Sequence, residues 1–115
     1  MLLKGLAGVA VMAGVFVAAS ASFSAPPAGD ATAGKDVYMH KCKACHGEDG
    51  QGNAGMAKLL KTTITPMDSD EVQNKTDAEI KTIVTQGKDK MKPVKDISDT
   101  DIANVIAFVR TFKKK

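Results

Sequence analysis

The feature that most constrains this chain is the pentapeptide Cys-Lys-Ala-Cys-His at residues 42–46. On a helix, Cys42, Cys45 and His46 are related as i, i+3 and i+4, so their side chains share one face. Two thiols and an imidazole can therefore hold one ligand from the same side. Because the chain has no further cysteine, a fold held together by several disulfides is excluded.

C-x-x-C-H is the sequence signature of c-type haem attachment. The two sulfurs can form thioether bonds to the two vinyl groups of one haem, and the adjacent imidazole can reach its iron. We predict one covalent haem c per chain, attached through Cys42 and Cys45, with His46 as the proximal iron ligand. A thioredoxin-type dithiol would need a strand before the motif, and a structural disulfide or a zinc site, the latter with His40 as fourth ligand, would use the same residues.

Length and composition point to a domain that is incomplete without a cofactor. A chain of 115 residues forms one domain, and this one has a single tyrosine and no tryptophan. The net charge of +3 is mixed along the chain, which argues against nucleic acid as a partner. We expect a haem to complete the core, lined by Leu59, Leu60, Ile64, Ile83, Met91, Val94 and Ile97.

The N-terminal segment has the pattern of an export signal. Lys4 precedes an uncharged apolar stretch, and Ala19-Ser20-Ala21 fits the small-x-small cleavage rule. We predict a signal peptide over residues 1–21 (cleaved after 21 or 24), a flexible linker over 22–29 and one domain over 30–115. The domain is then periplasmic, with no stable membrane insertion; if residues 1–25 are retained, they anchor it to the membrane.

Helix signals divide the exported part into three main helices. The predicted ranges are Asp30 to Cys45, Asp77 to Gln86, and Asp99 to about Phe112. Thr76 with Glu79, and Ser98 with Asp101, have the spacing of capping boxes. Residues 47–75 are predicted to be mostly loop, with a short helix near Met56–Lys61. The predicted fold is all-α, with long loops wrapped around one covalent haem.

A low-spin electron-transfer haem needs a sixth ligand, and methionine is a common one. Met91 follows the stop signal Gly87 and a short polar loop, and Pro93 stiffens the exit of that loop. We predict that Met91 is the distal ligand. Met67, Met56 or no methionine at all remain alternatives.

Together these residues resemble a class I monohaem cytochrome c over residues 31–112. The matching features are Gly34 and Tyr38 before the motif, the glycine-rich loop 47–52 after it, the loop Gly87–Met91, and Phe108 in the last helix. The resemblance implies a cytochrome c-like fold, packing of Phe108 across the first helix, and a soluble electron carrier that is not an enzyme.

Two departures from that family pattern bear on the site. Lys92 stands between Met91 and Pro93, where the family usually has proline directly after the methionine. Residues 47–60 contain no proline, whose carbonyl in many members orients the proximal histidine. We therefore expect another backbone carbonyl to accept the Nδ1 proton of His46.

The expected partners are a redox protein donor and acceptor that meet a monomeric carrier. Lysines near the predicted haem segments would favour acidic docking faces and salt-sensitive rates: Lys41, Lys43, Lys88, Lys90, Lys92 and Lys95. Rival functions are an electron-transfer subunit or tethered module of a larger redox enzyme, and a haem enzyme or gas sensor with an open sixth position. A dithiol oxidoreductase is a more distant alternative.

Overall fold

The computed structural model describes residues 29–115, together with isolated positions 5, 8, 10 and 12–15. The predicted signal peptide 1–21 and linker 22–29 therefore lie almost entirely outside the described residues. Among the residues that are described, no helix is long and apolar enough to cross a membrane.

Six helices make up the described domain, and three of them are its main elements. They are α1 (Ala31–Lys41), α2 (Lys43–His46), α3 (Ala54–Leu60), α4 (Asp70–Gln73), α5 (Asp77–Gln86) and α6 (Asp99–Arg110). Over residues 29–115 there is no strand, and Lys88 and Met91 form an isolated bridge. The predicted all-α fold is confirmed, with α1, α5 and α6 as its long helices.

The capping boxes fix the starts of α5 and α6 where the sequence predicts them. The Thr76 hydroxyl accepts a hydrogen bond from the Glu79 amide (3.1 Å), and the Glu79 carboxylate accepts one from the Thr76 amide (2.9 Å). Ser98 and Asp101 make the same reciprocal pair at 3.0 and 3.4 Å. These bonds satisfy amides that no helical carbonyl can reach.

Two helix predictions need correction. The predicted helix from Asp30 to Cys45 is interrupted at Cys42, whose φ of −119° departs from helical values. Cys42, Cys45 and His46 still share one helical turn, because the amides of Cys45 and His46 both donate to the Cys42 carbonyl, at 3.3 and 3.0 Å.

The second correction concerns the segment predicted as loop, which contains the short helix α4. Its N-cap Ser69 accepts a hydrogen bond from the Val72 amide (3.3 Å). A helix of four residues has no apolar periodicity, so the sequence gives no pattern from which to predict it.

Helices α1 and α6 cross in backbone contact at Gly34. A Cβ atom at this position would overlap the Asn104 carbonyl, so any side chain would push the helices apart. The Asn104 side chain also accepts a hydrogen bond from the Asp30 amide (2.8 Å), at the N-cap of α1. The crossing is therefore fixed by the missing side chain and by a polar contact at the start of α1.

The two sides of α6 pack against different helices. Ile102 and Ile106 form a buried cluster with two residues of α5, Ile80 and Val84. Val105 and Val109 form a second cluster with Tyr38 of α1. Helix α6 is therefore the element that joins α1 to α5.

Tyr38 links this helix pair to the C-x-x-C-H motif. Its side chain is fully buried, and its ring centroid lies 5.1 Å from that of Phe108 and 5.7 Å from that of Phe112. Its hydroxyl donates a 2.6 Å hydrogen bond to the carbonyl of Gly47, the residue directly after the motif. The predicted packing of Phe108 across α1 is confirmed, and the same tyrosine fixes the chain just after His46.

Replacing Tyr38 with phenylalanine tests that link. Burial raises the pKa of the Tyr38 hydroxyl well above its ordinary value of about 10, with smaller increases from Cys42 and Asp49. At neutral pH, we expect Tyr38→Phe to lower the free energy of unfolding by about 1 kcal/mol, because the bond to Gly47 is lost. The measurement is denaturant unfolding of the haem-loaded protein.

The stability of the same variant is expected to depend on pH differently from that of the wild type in the alkaline range. The phenol stays protonated when folded but ionises above pH of about 10 when unfolded, so its contribution to stability is complete below that pH and is lost as pH rises further. Tyr38→Phe should therefore lose less stability than the wild type on going above pH 10. Thr111→Val, which removes an exposed hydroxyl bonded to the Phe108 carbonyl, should behave like the wild type. Equal alkaline losses in all three proteins would contradict the assignment to Tyr38.

Candidate functional site

One cavity of about 510 Å³ opens between the helices, and each of the six contributes to its wall. This volume lies within the range of roughly 300–1,000 Å³ that is common for cofactor sites. The apolar part of the wall includes residues of both buried clusters: Ile80, Val84, Val105, Ile106 and Val109. The cavity is therefore continuous with the hydrophobic core.

Cys42, Cys45 and His46 stand together on this wall. Both thiols are free and half-buried. Burial, with a smaller contribution from the neighbouring Cys45 thiol, raises the pKa of Cys42 to about 11. Redox-active dithiols depend on a lowered thiol pKa, so this environment disfavours a dithiol oxidoreductase.

The His46 ring is partly buried, and this environment favours its neutral form. Burial lowers the pKa of His46, and neutral imidazole is the form that binds metal ions. Its Nδ1 atom is buried and has no hydrogen-bond partner within the described residues. The expectation that a backbone carbonyl accepts the Nδ1 proton is therefore wrong for this structure.

Three carbonyls around the motif accept hydrogen bonds from groups other than the His46 ring. The Cys45 carbonyl accepts from the Asn53 amide (2.8 Å) and the His46 carbonyl from the Gly52 amide (2.7 Å). The Gly47 carbonyl accepts from Tyr38. Backbone hydrogen bonds thus hold the glycine-rich loop against the motif, in a segment that contains no proline.

Met91 lines the same cavity from a tight turn. The amide of Lys88 donates to the Met91 carbonyl (2.9 Å), and the amide of Met91 donates to the Lys88 carbonyl (2.8 Å). Asp89 at the tip has φ +52°, in the left-handed region that aspartate tolerates. Beyond the turn, the Val94 amide donates to the Val84 carbonyl of α5 (2.8 Å). The turn is therefore closed on itself and attached to the core.

The extra residue Lys92 leaves Pro93 close to the start of this turn. A Cβ atom at Gly87 would lie 2.9 Å from Cδ of Pro93, so the absence of a side chain permits this contact. Gly87 also has φ +77°, which favours glycine. The proline thus packs against the residue that ends α5.

Met56 and Met67 also line the cavity, so three methionines border the same space. The backbone of Met67 is bonded on both sides, with its amide donating to Gly50 (2.8 Å) and its carbonyl accepting from Gln73 Nε2 (2.7 Å). Its side chain packs against the Tyr38 cluster. Met56 lies on α3, which has no buried residue.

Most of the predicted lining residues lie on the wall, and two do not. Leu60, Ile64, Ile83, Met91 and Val94 line the cavity. Leu59 is 73% exposed, because Met56 and Leu60 form the inward face of α3 and its neighbour points away. Ile97 packs against the cluster of Ile80 and Ile102 instead.

Several lining residues were absent from the sequence prediction. Val105, Ile106 and Val109 serve both the core and the cavity, and the wide apolar stripe of α6 was the available signal. A polar group was missed as well: Thr62, Thr63, Thr65 and Lys75. They lie on segments without periodicity, where the sequence carries no orientation signal.

Lysines surround part of the cavity. Lys41, Lys75, Lys88, Lys90 and Lys92 contribute to the wall, together with the acidic Glu71 and Asp89. Lys43 and Lys95, which the sequence grouped with them, do not line it, although the Lys95 carbonyl accepts a hydrogen bond from Lys41 Nζ (3.2 Å). The cationic excess predicted near the site is present, with Lys75 added.

These features fit the haem that the motif predicts. Two thiols suit the vinyl groups, the imidazole and the thioethers are ligands for haem iron, and the apolar wall suits the macrocycle. The Nδ1 atom of His46 is buried and has no hydrogen-bond partner in the part of the chain that the structure describes.

Comparisons with known proteins agree with this fit. Residues 29–109 match the family model described as cytochrome c oxidase, cbb3-type, subunit III. A similar solved structure is the KustC0563 c-type cytochrome, with 27% identity and a TM-score of 0.59 over 70% of this chain and 98% of that one. No curated protein matches the chain. The chain therefore belongs to the family of that model, and it is a monohaem c-type cytochrome that works by haem-based electron transfer.

Proposed function

We propose that this protein is an exported electron carrier with a single haem c, attached through Cys42 and Cys45 and ligated by His46 and Met91. The observation that carries the proposal is that all four side chains line one cavity. When bound, the haem supplies one-electron chemistry, with iron alternating between the ferrous and ferric states.

The protein residues hold and enclose the group rather than react. The cysteines would anchor it, and the half-buried, neutral imidazole of His46 would supply one nitrogen ligand. A methionine would take the remaining ligand position and leave none for oxygen, peroxide or substrate. Electron transfer without catalysis is the activity that this arrangement supports.

Met91 is better suited to the distal role than the other two methionines. Its turn is closed by reciprocal backbone bonds with Lys88 and is attached to α5 through Val94. Met67 packs against an aromatic cluster that already occupies its side chain. A ligand held by a turn with its own hydrogen bonds keeps its position in both oxidation states.

Substitution of each methionine separates these candidates. We expect Met91→Ala to abolish the near-infrared charge-transfer band of methionine-ligated ferric haem and to allow carbon monoxide to bind the ferrous protein. Met56→Ala and Met67→Ala are the matched controls and should keep the band. The measurement is the optical spectrum of protein produced with haem-attachment machinery.

Two results would contradict the assignment. Persistence of the band in Met91→Ala, with its loss in Met67→Ala or Met56→Ala, would move the ligand. Carbon monoxide binding by the wild-type ferrous protein at neutral pH would favour an enzyme or gas sensor with an open sixth position.

The haem also completes the core. Of the seven buried apolar residues in the described part of the chain, five line the cavity. Without the cofactor, these side chains face an opening instead of packed atoms, and the remaining burial barely offsets chain entropy.

We therefore expect haem-free protein to lack a cooperative thermal transition. The measurement is far-UV circular dichroism during heating, with the haem-loaded protein as the reference. A sharp transition in the haem-free protein, with native-like helix content, would contradict this prediction.

The lysines around the cavity support a partner with an acidic docking face. Lys88 and Lys90 lie on the Met91 turn, and Lys41 and Lys75 reach the cavity from other segments. Opposite charges around a small contact speed the encounter, and salt screens them over a Debye length of about 10 Å at 0.1 M.

Small redox reagents of opposite charge test this surface before the partner is known. We expect oxidation by ferricyanide, an anion, to slow several-fold as ionic strength rises, whereas oxidation by a cationic cobalt complex should not slow. Lys90→Gln should weaken the salt dependence, and Lys113→Gln in the C-terminal tail should leave it unchanged. Salt-independent ferricyanide rates would contradict steering.

A second candidate function is an electron-transfer subunit or tethered module of a larger redox enzyme. The observation that favours it is the description of the matching family model, which is a subunit of an oxidase. A stable partner that co-purifies with the native protein would support the module, and a free monomer would support the carrier.

The location of the protein is part of the proposal. Residues 1–21 fit a signal peptide that directs the domain to the periplasm, and residues 1–25 would anchor it if they are retained. N-terminal sequencing of the mature protein distinguishes cleavage after residue 21 or 24 from retention.

A further inference from the structure

Three threonines stand on the wall of a cavity that is otherwise largely apolar. Thr62, Thr63 and Thr65 all line it, and Thr62 and Thr65 are half-buried. None of their hydroxyl groups has a hydrogen-bond partner within the described residues. In contrast, the hydroxyls of Thr82 and Thr85 on α5 bond to helical carbonyls. The cavity threonines thus keep their donors free for a ligand.

The segment that carries these hydroxyls is held at both ends. The Thr62 amide donates to the Ala57 carbonyl of α3 (3.0 Å), and the Met67 amide donates to the Gly50 carbonyl (2.8 Å). Between them, Ile64 packs against Gly52, where an added Cβ would lie 3.3 Å from the Ile64 Cβ. The hydroxyls are therefore presented from a fixed backbone.

The group expected in this cavity carries two carboxylates. They lie on a different edge of the haem from the vinyl groups that Cys42 and Cys45 would bind. An ionised carboxylate that leaves water needs hydrogen-bond donors, and each threonine hydroxyl supplies one. The cavity lysines could also supply donors. Lys41, Lys88, Lys90 and Lys92 are exposed and can remain solvated, whereas Lys75 is half-buried and is the competing donor that the test must separate from the threonines.

We propose that Thr62 and Thr65, with Thr63 beside them, form the binding site for the haem carboxylates. This inference rests on the proposed function, because it requires the haem. Residues 62–65 belong neither to the C-x-x-C-H motif nor to the proposed iron ligands, and the inference gives them a binding role. The covalent bonds hold the macrocycle at one edge, and the threonines hold its polar groups by hydrogen bonds.

The test uses haem-loaded protein and a signal that reports on the carboxylates themselves. We expect Thr65→Val, and more strongly the pair Thr62→Val and Thr65→Val, to shift the propionate bending mode in the resonance Raman spectrum. Valine preserves the shape of the side chain and removes its donor. Thr65→Ser restores the donor and should restore the wild-type frequency, and Thr85→Val on α5 should have no effect.

The outcomes separate this inference from the proposed function. An unchanged bending mode in the double valine variant, with the methionine–iron band intact, overturns the threonine site and leaves the electron carrier standing. A shift in Lys75→Met, Lys88→Met or Lys90→Met, but not in the threonine variants, assigns the carboxylates to lysines and also overturns it. Should the double variant not assemble, Thr62→Val and Thr65→Val alone decide by the same measurement. A wild-type protein without covalent haem would refute the proposed function itself.

Discussion

The backbone contact between α1 and α6 at Gly34 is the constraint on which the remaining structure depends. With no side chain in the crossing, the helices approach until Gly34 meets the Asn104 carbonyl. This separation lets α6 bury Val105 and Val109 against Tyr38 while Ile102 and Ile106 pack on α5. A wider crossing would withdraw Tyr38 from the Gly47 carbonyl and release the chain next to His46.

The core and the cavity share the same side chains. Ile80, Val84, Val105, Ile106 and Val109 are buried, and each also forms part of the cavity wall. The stability of the fold and the environment of the haem are therefore set by one group of residues. A substitution there changes the packing energy of the domain and the dielectric surroundings of the iron at once.

The sequence predicted the parts of this structure that obey local rules. The capping boxes located the starts of α5 and α6, and the C-x-x-C-H spacing identified the attachment motif, because both depend on neighbouring residues. The break at Cys42, the exposure of Leu59 and the unpaired Nδ1 of His46 could not be predicted. Each depends on how distant segments meet, and a sequence pattern does not contain that information.

The loop residues that line the cavity could not be predicted for the same reason. The threonine segment has no periodicity, and its backbone is held by a local bond from Thr62 to Ala57 and by a bond from Met67 to Gly50, which lies in a separate loop. Lys75 reaches the cavity because Arg110 fixes the chain around it, with guanidinium bonds to the carbonyls of Gln73 (3.0 Å) and Lys75 (2.6 Å). Residues that line the cavity are thus positioned by hydrogen bonds to residues that do not line it.

The turn between Lys88 and Met91 is held by its backbone and not by the side chains at its tip. Its backbone bonds pair its first and last residues, so the side chains of Asp89 and Lys90 at the tip take no part in holding it. The charge at Lys90 can therefore change without breaking these bonds, whereas Asp89, at φ +52°, is limited to the residue types that a left-handed backbone tolerates. The sequence of the tip can therefore vary at Lys90 while the backbone that positions Met91 on the cavity wall stays the same.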